Sequence, residues 1–214
     1  VDTYNTHLFG QAALDLQHKV GKRDQFAKMY ANRWTDGITD RFRDFVANTT
    51  TMYIASTVEN GWPYVQHRGG PRGFLKVIEK DTLGFADYHG NQQFITQGNL
   101  QTDDRVSLIL MDYAAKARIK MIGHAKMVEA SDDPELAEKL AVEGQGPVER
   151  LTTIKITAID VNCPKYITQR FDEGEIATLL GPRISELDRQ VSVLADRLKD
   201  LGEDPAALLQ KETP

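Results

Sequence analysis

Thr50-Thr-Met-Tyr-Ile-Ala-Ser-Thr57, then Asn60-Gly61, then Trp62-Pro-Tyr-Val-Gln-His-Arg-Gly-Gly-Pro-Arg-Gly-Phe-Leu-Lys76, is the stretch that decides the fold class. Its first part alternates β-branched and aromatic residues with polar ones, the period-two pattern of a half-buried strand. Asn-Gly is the strongest short-range hairpin signal, because the tight turn between two strands needs positive φ at its centre. The last part gathers His67, Arg68, Arg72 and Lys76 around Gly69, Gly70 and Gly73 with no acid among them. Glycine lets the backbone approach a ligand, and Arg and Lys offer charge-assisted bonds to phosphate oxygens. This strand end is therefore a candidate phosphate seat, to be weighed against a solvated β-bulge.

Working outward, the same alternation predicts strands at Gly73 to Ile78, Thr82 to Ala86, Val106 to Tyr113, Arg118 to Val128 and Thr152 to Val161. With the strand before Asn60-Gly61 these make about six, mostly in hairpin succession, which favours an antiparallel barrel over a doubly wound sheet. In the Arg118 strand, Arg118, Lys120, His124 and Lys126 face one way, and Ile119, Met121, Ala125 and Met127 the other. Upstream, Leu8 to Ala31 reads as helix, turn at Gly21, and helix, and Asp36 to Asn48 as an amphipathic helix capped by Thr39 or Asp36. Asn91 to Gln101 reads as a short helix that leaves a strand through the Gly90 turn. Its free N–H groups would face that turn, an anion site if it is not simply a capped surface helix.

The C-terminal part differs in kind. Ile184, Leu187, Val191, Leu194, Leu198 and Leu201 follow a heptad seam flanked by Glu186, Arg189, Arg197 and Lys199. The seam predicts a helix that packs on its own body or pairs with a second subunit. The organisation expected is a helical extension over 1–38, a barrel domain over 39–170 and a helical tail over 171–214.

At 214 residues with 41% apolar content, the chain can bury a real core, and its formal charge of -5 makes it a poor nucleic-acid binder as a whole. Any anion site must be local. The one cysteine, Cys163, excludes an internal disulfide, and the absence of a signal-type start or an apolar run near 18 residues points to the cytoplasm and away from membranes. The five histidines show no metal-binding spacing, and no Gly-x-Ser-x-Gly is present. His7, His18 and His124 read as surface or strand-face residues, and Cys163 as a pocket wall in Cys163-Pro-Lys-Tyr166. Asp87-Tyr-His-Gly-Asn-Gln-Gln93 ends a strand in hydrogen-bonding side chains. Next to Arg68, Arg72 and Lys76 it suggests two strand ends that share a phosphorylated planar ligand.

Gly61-Trp-Pro-Tyr-Val-Gln-His-Arg-Gly-Gly, Gly73-Phe-Leu-Lys-Val, Phe85-Ala-Asp-Tyr-His-Gly-Asn-Gln-Gln-Phe-Ile, Gly98-Asn-Leu and Asn162-Cys-Pro-Lys-Tyr-Ile resemble, in order and spacing, the pyridoxamine 5′-phosphate oxidase-like proteins of the FMN-binding split-barrel superfamily. The resemblance spans roughly Thr39 to Thr168. It implies a mainly β fold, a six-stranded antiparallel split β-barrel with flanking helices, in a homodimer that holds FMN at the subunit interface. In the vitamin B6 oxidases an Arg-x-x-x-x-Lys strand and a Ser-Arg-Lys turn hold the FMN phosphate. Here Lys76 matches the lysine, Pro71 stands where the arginine would be, and the turn falls on Asn91, Gln92 and Gln93. Two neutral amides in place of Arg-Lys forfeit bonds of about 1.5–3 kcal/mol each. The expectation is that His67, Arg68, Arg72 and Lys76 compensate, the other outcomes being weak FMN binding or a related cofactor such as a deazaflavin.

The resemblance thus implies an FMN-dependent oxidoreductase acting on a small molecule. His67, Arg68, Arg72 and Lys76 would serve the phosphate, Asn91, Gln92 and Gln93 the phosphate or ribityl chain, and Phe74, Phe85, Ala86 and Asp87 the flavin. Arg118 would reach the cofactor from the partner subunit. No side chain is assigned as acid or base. The chain lacks the Arg-His-containing C-terminal segment of the vitamin B6 oxidases, so pyridoxamine phosphate is not the expected substrate. The alternatives are a flavin, deazaflavin or haem carrier or sensor without turnover, and a structural dimer built on the heptad helix.

Overall fold

The computed structural model describes residues 7–30, 38–161 and 165–210. The chain forms two compact units, residues 1–168 and 169–214. In the first, helices α1 (Gln11–Lys19), α2 (Arg23–Tyr30) and α3 (Asp40–Asn48) precede the strands. The strands are β1 (Thr51–Thr57), β2 (Pro63–Gly69), β3 (Lys76–Glu79), β4 (Thr82–Tyr88), β5 (Arg105–Asp112), β6 (Ala117–Glu129) and β7 (Val148–Val161). Helix α4 (Ile95–Thr102) follows β4, and α5 (Pro134–Leu140) lies between β6 and β7. The second unit holds α6 (Glu173–Asp200) and α7 (Pro205–Gln210).

All seven strands join one antiparallel sheet in the order β2-β1-β5-β6-β7-β4-β3. The fold class expected from the sequence is correct, with one strand more than the six foreseen. The extra strand is β2, whose glycines and cations read as a strand end although it pairs with β1 from Thr51↔Gly69 to Thr57↔Pro63. The turn between them closes on Gly61, at φ +88°, whose N–H donates to the Val58 carbonyl at 2.7 Å. Other boundaries move as well. β3 begins at Lys76 rather than Gly73, because Gly73 takes φ +85° in the preceding turn. β7 begins at Val148, four residues before the Thr152 expected. α3 starts at Asp40, after its cap residue Thr39. α4 starts at Ile95, four residues after the Asn91 expected.

A flat sheet would separate β2 and β4 by five strand spacings, roughly 24 Å. Instead Arg68 of β2 lies 3.2 Å from Asp87 of β4, so the sheet curls until its ends are bridged by side chains. Inside the curl, Met52, Ile54, Leu75, Leu83, Leu108, Leu110, Met121 and Ile154 share one core with Ile38 and Val46, from the α3 region. β1 and β6 show the period-two burial that the alternation predicts. Two polar bonds lock α4 to the barrel: Asn99 Nδ2 donates to Ser56 Oγ at 2.9 Å, and Thr96 Oγ1 to Gln66 Oε1 at 2.7 Å. These buried polar groups are thus paired, as most buried polar groups are. The N-terminal helices belong to the same unit, Tyr30 burying its ring with Ala158 of β7 beside Phe9 and Phe26.

Among the glycines the closest backbone approach is at the β6–β7 irregularity, where Gly123 stands opposite Ile156. A Cβ on Gly123 would overlap the Lys155 carbonyl oxygen. The obstacle is backbone and cannot rotate away. Gly123→Ala is therefore expected to cost about 2–3 kcal/mol, lowering the melting temperature by roughly 5–10 °C in a thermal unfolding scan.

Candidate functional site

Because β2 and β4 meet without backbone pairing, their inward side chains line a cleft. The end of β2 and the turn after it (His67, Arg68, Gly69, Gly70, Pro71 and Phe74) face the end of β4 (Phe85, Ala86, Asp87, Tyr88, His89 and Gly90) across a cavity of about 320 Å³, which Val142 and Gln145 close. A smaller cavity of about 70 Å³ continues from it, lined by Tyr64, Gln66, Asn91, Gln92, Gln93, Phe94, Met127 and Arg150 among others. Arg68, Asp87, Tyr88 and Gly90 are shared by both. The larger volume is at the low end of the ~300–1,000 Å³ usual for ligand sites.

Charge runs through this wall in a chain. Arg68 Nη1 lies 3.2 Å from Asp87 Oδ1, and Arg150, which the β4–β7 register sets opposite Asp87, donates from Nε and Nη2 to Asp87 Oδ2 at 3.4 Å. Arg150 Nη2 also lies 3.1 Å from Glu149 Oε2, and Glu149 Oε1 is 2.7 Å from His89 Nδ1. The hydrogen bond to His89, aided by that histidine's charge and by Arg150, holds the Glu149 carboxyl below the ordinary range against a partly offsetting desolvation. Along this chain two arginines face two carboxylates. Within this wall one donor is left over: Arg68 Nε is buried and has no hydrogen-bond partner. An unmet buried donor costs about 1–3 kcal/mol, which an acceptor arriving in the cleft would recover. Both guanidiniums lie near aromatic rings, Arg68 at 6.0 Å from the Phe85 centroid and Arg150 at 5.3 Å from Phe94.

The loop that carries the amides is strained. Gln92 and Phe94 take φ of 56° and 53°, left-handed values uncommon outside glycine and asparagine. Asn91 Oδ1 accepts from the Gln93 N–H at 3.2 Å and ties the loop. Opposite, the Tyr88 hydroxyl accepts from the Val142 N–H at 2.8 Å, which fixes the ring as a wall between the cavities. Lys76 Nζ donates to the carbonyls of Lys139 at 2.7 Å and Ala141 at 3.0 Å, staples the end of α5, and so steadies the segment that brings in Val142 and Gln145.

Of the residues picked out in the sequence, the structure brings His67, Arg68, Phe74, Phe85, Ala86 and Asp87 to the larger cavity and Asn91, Gln92 and Gln93 to the smaller. Arg72, Lys76 and Arg118 are not among the residues that line either. Arg72 Nη1 donates to the Asn48 carbonyl at 3.4 Å, Lys76 acts as the staple, and Arg118 lies on β6 opposite Met111. Cys163 falls outside the described residues. Missed in the sequence were Tyr64, Gln66, Glu149 and Arg150. The period-two pattern of β2 turns Tyr64 and Gln66 the same way as Arg68, whereas Arg150 is brought beside Asp87 by the β4–β7 register.

The orphaned Arg68 donor, the amide-bearing loop and the aromatic walls fit a ligand with an anionic group and a planar ring. A family model described as pyridoxamine 5′-phosphate oxidase matches residues 38–162. No curated protein matches the chain. Among solved structures, HupZ of Group A Streptococcus is 17% identical, over 63% of this chain and 99% of its own, with a TM-score of 0.48. A Lactobacillus delbrueckii protein assigned as a pyridoxamine 5′-phosphate oxidase is 19% identical, over 59% and 95%, at 0.44. General Stress Protein 26 of Bacillus anthracis is 15% identical, over 55% and 88%, at 0.43. These likenesses are too distant to bear on ligand or activity. The family match is of another order: it takes in all seven strands and the whole wall from Arg68 to Arg150, more than half of the sequence, and by it the chain belongs to the pyridoxamine 5′-phosphate oxidase family.

Proposed function

We propose that this protein binds FMN in the cleft between β2 and β4 and serves as an oxidoreductase for a small molecule. The observation that carries the reading is the buried, unpartnered Nε of Arg68 in a wall whose other charges are paired. A phosphate oxygen is the acceptor that best meets a guanidinium donor. Family membership supports a flavin as the group that brings it.

In this reading Arg68 binds the phosphate while Asp87, itself held by Arg150, keeps its guanidinium in place. Gln92 and Gln93 offer carboxamides to the phosphate or to the polyol chain. Phe74, Phe85 and Tyr88 form ring walls that exclude water from one side of the ligand. Lys76 acts at one remove, by anchoring the segment of Val142 and Gln145. Bound FMN supplies hydride or single-electron transfer at its ring, which the protein positions and tunes. The carboxylates of this wall, Asp87 and Glu149, are engaged with arginines and with His89, so neither is assigned to move a proton in the reaction.

A second subunit fits the same picture. On β2, an edge strand, Val65 is 61% exposed, and Trp62 just before it is 72% exposed, apolar surface that an edge strand seldom leaves bare unless another chain covers it. The homodimer would complete the open side of the cleft. Among the described residues no helix is long and apolar enough to cross a membrane.

Flavin-band absorbance near ~375 and ~450 nm in the purified protein, and quenching of added FMN in a titration, would support the reading. A Soret band, or no retention of FMN, would overturn it. Arg68→Gln is expected to weaken FMN binding about ten- to hundredfold, the worth of a charge-assisted bond. Lys76→Met should lower stability by about 1 kcal/mol in a denaturant titration, yet weaken FMN less than Arg68→Gln does. Equal weakening with unchanged stability would mean that Lys76 meets the phosphate directly.

A further inference from the structure

Helix α6 runs for 28 residues from a complete capping box, in which Asp172 accepts from the Glu175 N–H and Glu175 reaches back to the Asp172 N–H. The length extends the heptad seam backward from Ile184. Counting along the helix puts Ala177, Ile184, Val191 and Leu198 at a, and Leu180, Leu187, Leu194 and Leu201 at d, with Leu201 as the C-cap. Leu180, Ile184, Leu187, Val191 and Leu194 are 41–63% exposed. Pro182, the one proline in the helix, falls at f, on the side away from the seam.

We infer that α6 pairs with α6 of a second copy of this chain as a parallel, in-register, two-stranded coiled coil. The core composition is the first argument: Ile184 and Val191 at a, with leucine at every d, is the pattern that favours two parallel strands. Charge is the second. The g positions carry Arg183, Gln190 and Arg197, and the e positions carry Gly181, Asp188 and Ala195. In a parallel pair each g faces the e five residues on in the partner, so Arg183 meets Asp188 twice by symmetry. An antiparallel pair sets g against g and e against e, and then no attractive pair exists among these residues. The helix's own ion pairs, Glu186–Arg189 and Asp196–Lys199, occupy b, c and f positions on the outer side. Among the described residues Arg183 and Asp188 make no side-chain bond, so both remain available to the partner.

The test uses the full chain with Cys163→Ser, which removes the only cysteine. Leu187→Cys and Leu194→Cys are then added singly, since parallel in-register pairing brings each d position against itself. Mild oxidation should convert each to a covalent dimer at a yield at least tenfold above that of Asp196→Cys at f. Sedimentation should give twice the chain mass, which pairing along β2 would give as well, so the cross-links decide. Asp188→Arg in the Leu194→Cys chain should cut the yield severalfold, and adding Arg183→Glu should restore it. Cross-linking no better at 187 and 194 than at 196, with helix content unchanged by circular dichroism, would overturn the proposal, as would a trimer mass. Neither readout depends on flavin, so the proposal stands or falls apart from the cleft.

Discussion

The barrel is closed by side chains where backbone pairing stops. β2 and β3 end the hydrogen-bonded sheet, and the bridge runs from β2 to the part of β4 beyond its pairing with β3, through the contact of Arg68 with Asp87. Both side chains are about four-fifths removed from solvent, so their attraction is screened less than that of a surface pair, and breaking it would leave a charge poorly solvated. A sheet paired all the way round would have filled its interior with side chains and left no opening between strands. The split makes room for a ligand, and the residues that bridge it are the ones positioned to read that ligand.

Rigid parts and strained parts divide the work. Arg68, Asp87 and Arg150 stand on strands whose registers are fixed by long antiparallel ladders, so their mutual geometry is set by the sheet. The carboxamides of Gln92 and Gln93 stand instead on a loop held between β4 and α4, and α4 is pinned by the Asn99–Ser56 and Thr96–Gln66 bonds. The ladder gives precision to the charges, and the pinned loop gives the amides a defined place without a regular element of their own.

Much of this was legible in the sequence because period-two burial is a one-dimensional signal. β1 and β6 could be read from alternation alone, and Arg68 and Asp87 were selected by charge and position near strand ends. What was not legible depends on pairing. Arg150 matters because β7 lies beside β4 in a register that sets it opposite Asp87, and sequence order gives no hint of that neighbour. Lys76 carries a charge suited to phosphate, but the backward fold of residues 139–141 offers it two carbonyls instead. β2 reads as a strand end because its glycines and proline-flanked cations mimic a loop, whereas one hydrogen-bonded neighbour is enough to hold it extended.

Phe94 joins two demands in one residue. Its backbone takes a left-handed conformation that costs an ordinary side chain about 1–2 kcal/mol, while its ring covers the Arg150 guanidinium. Glycine at this position would relax the chain and strip the shield, leaving water free to solvate Arg150 and loosen its hold on Asp87. Conformational relief and the shielding of the Arg150–Asp87 pair therefore pull the choice of amino acid in opposite directions, and a bulky aromatic sits where geometry alone would select the smallest residue.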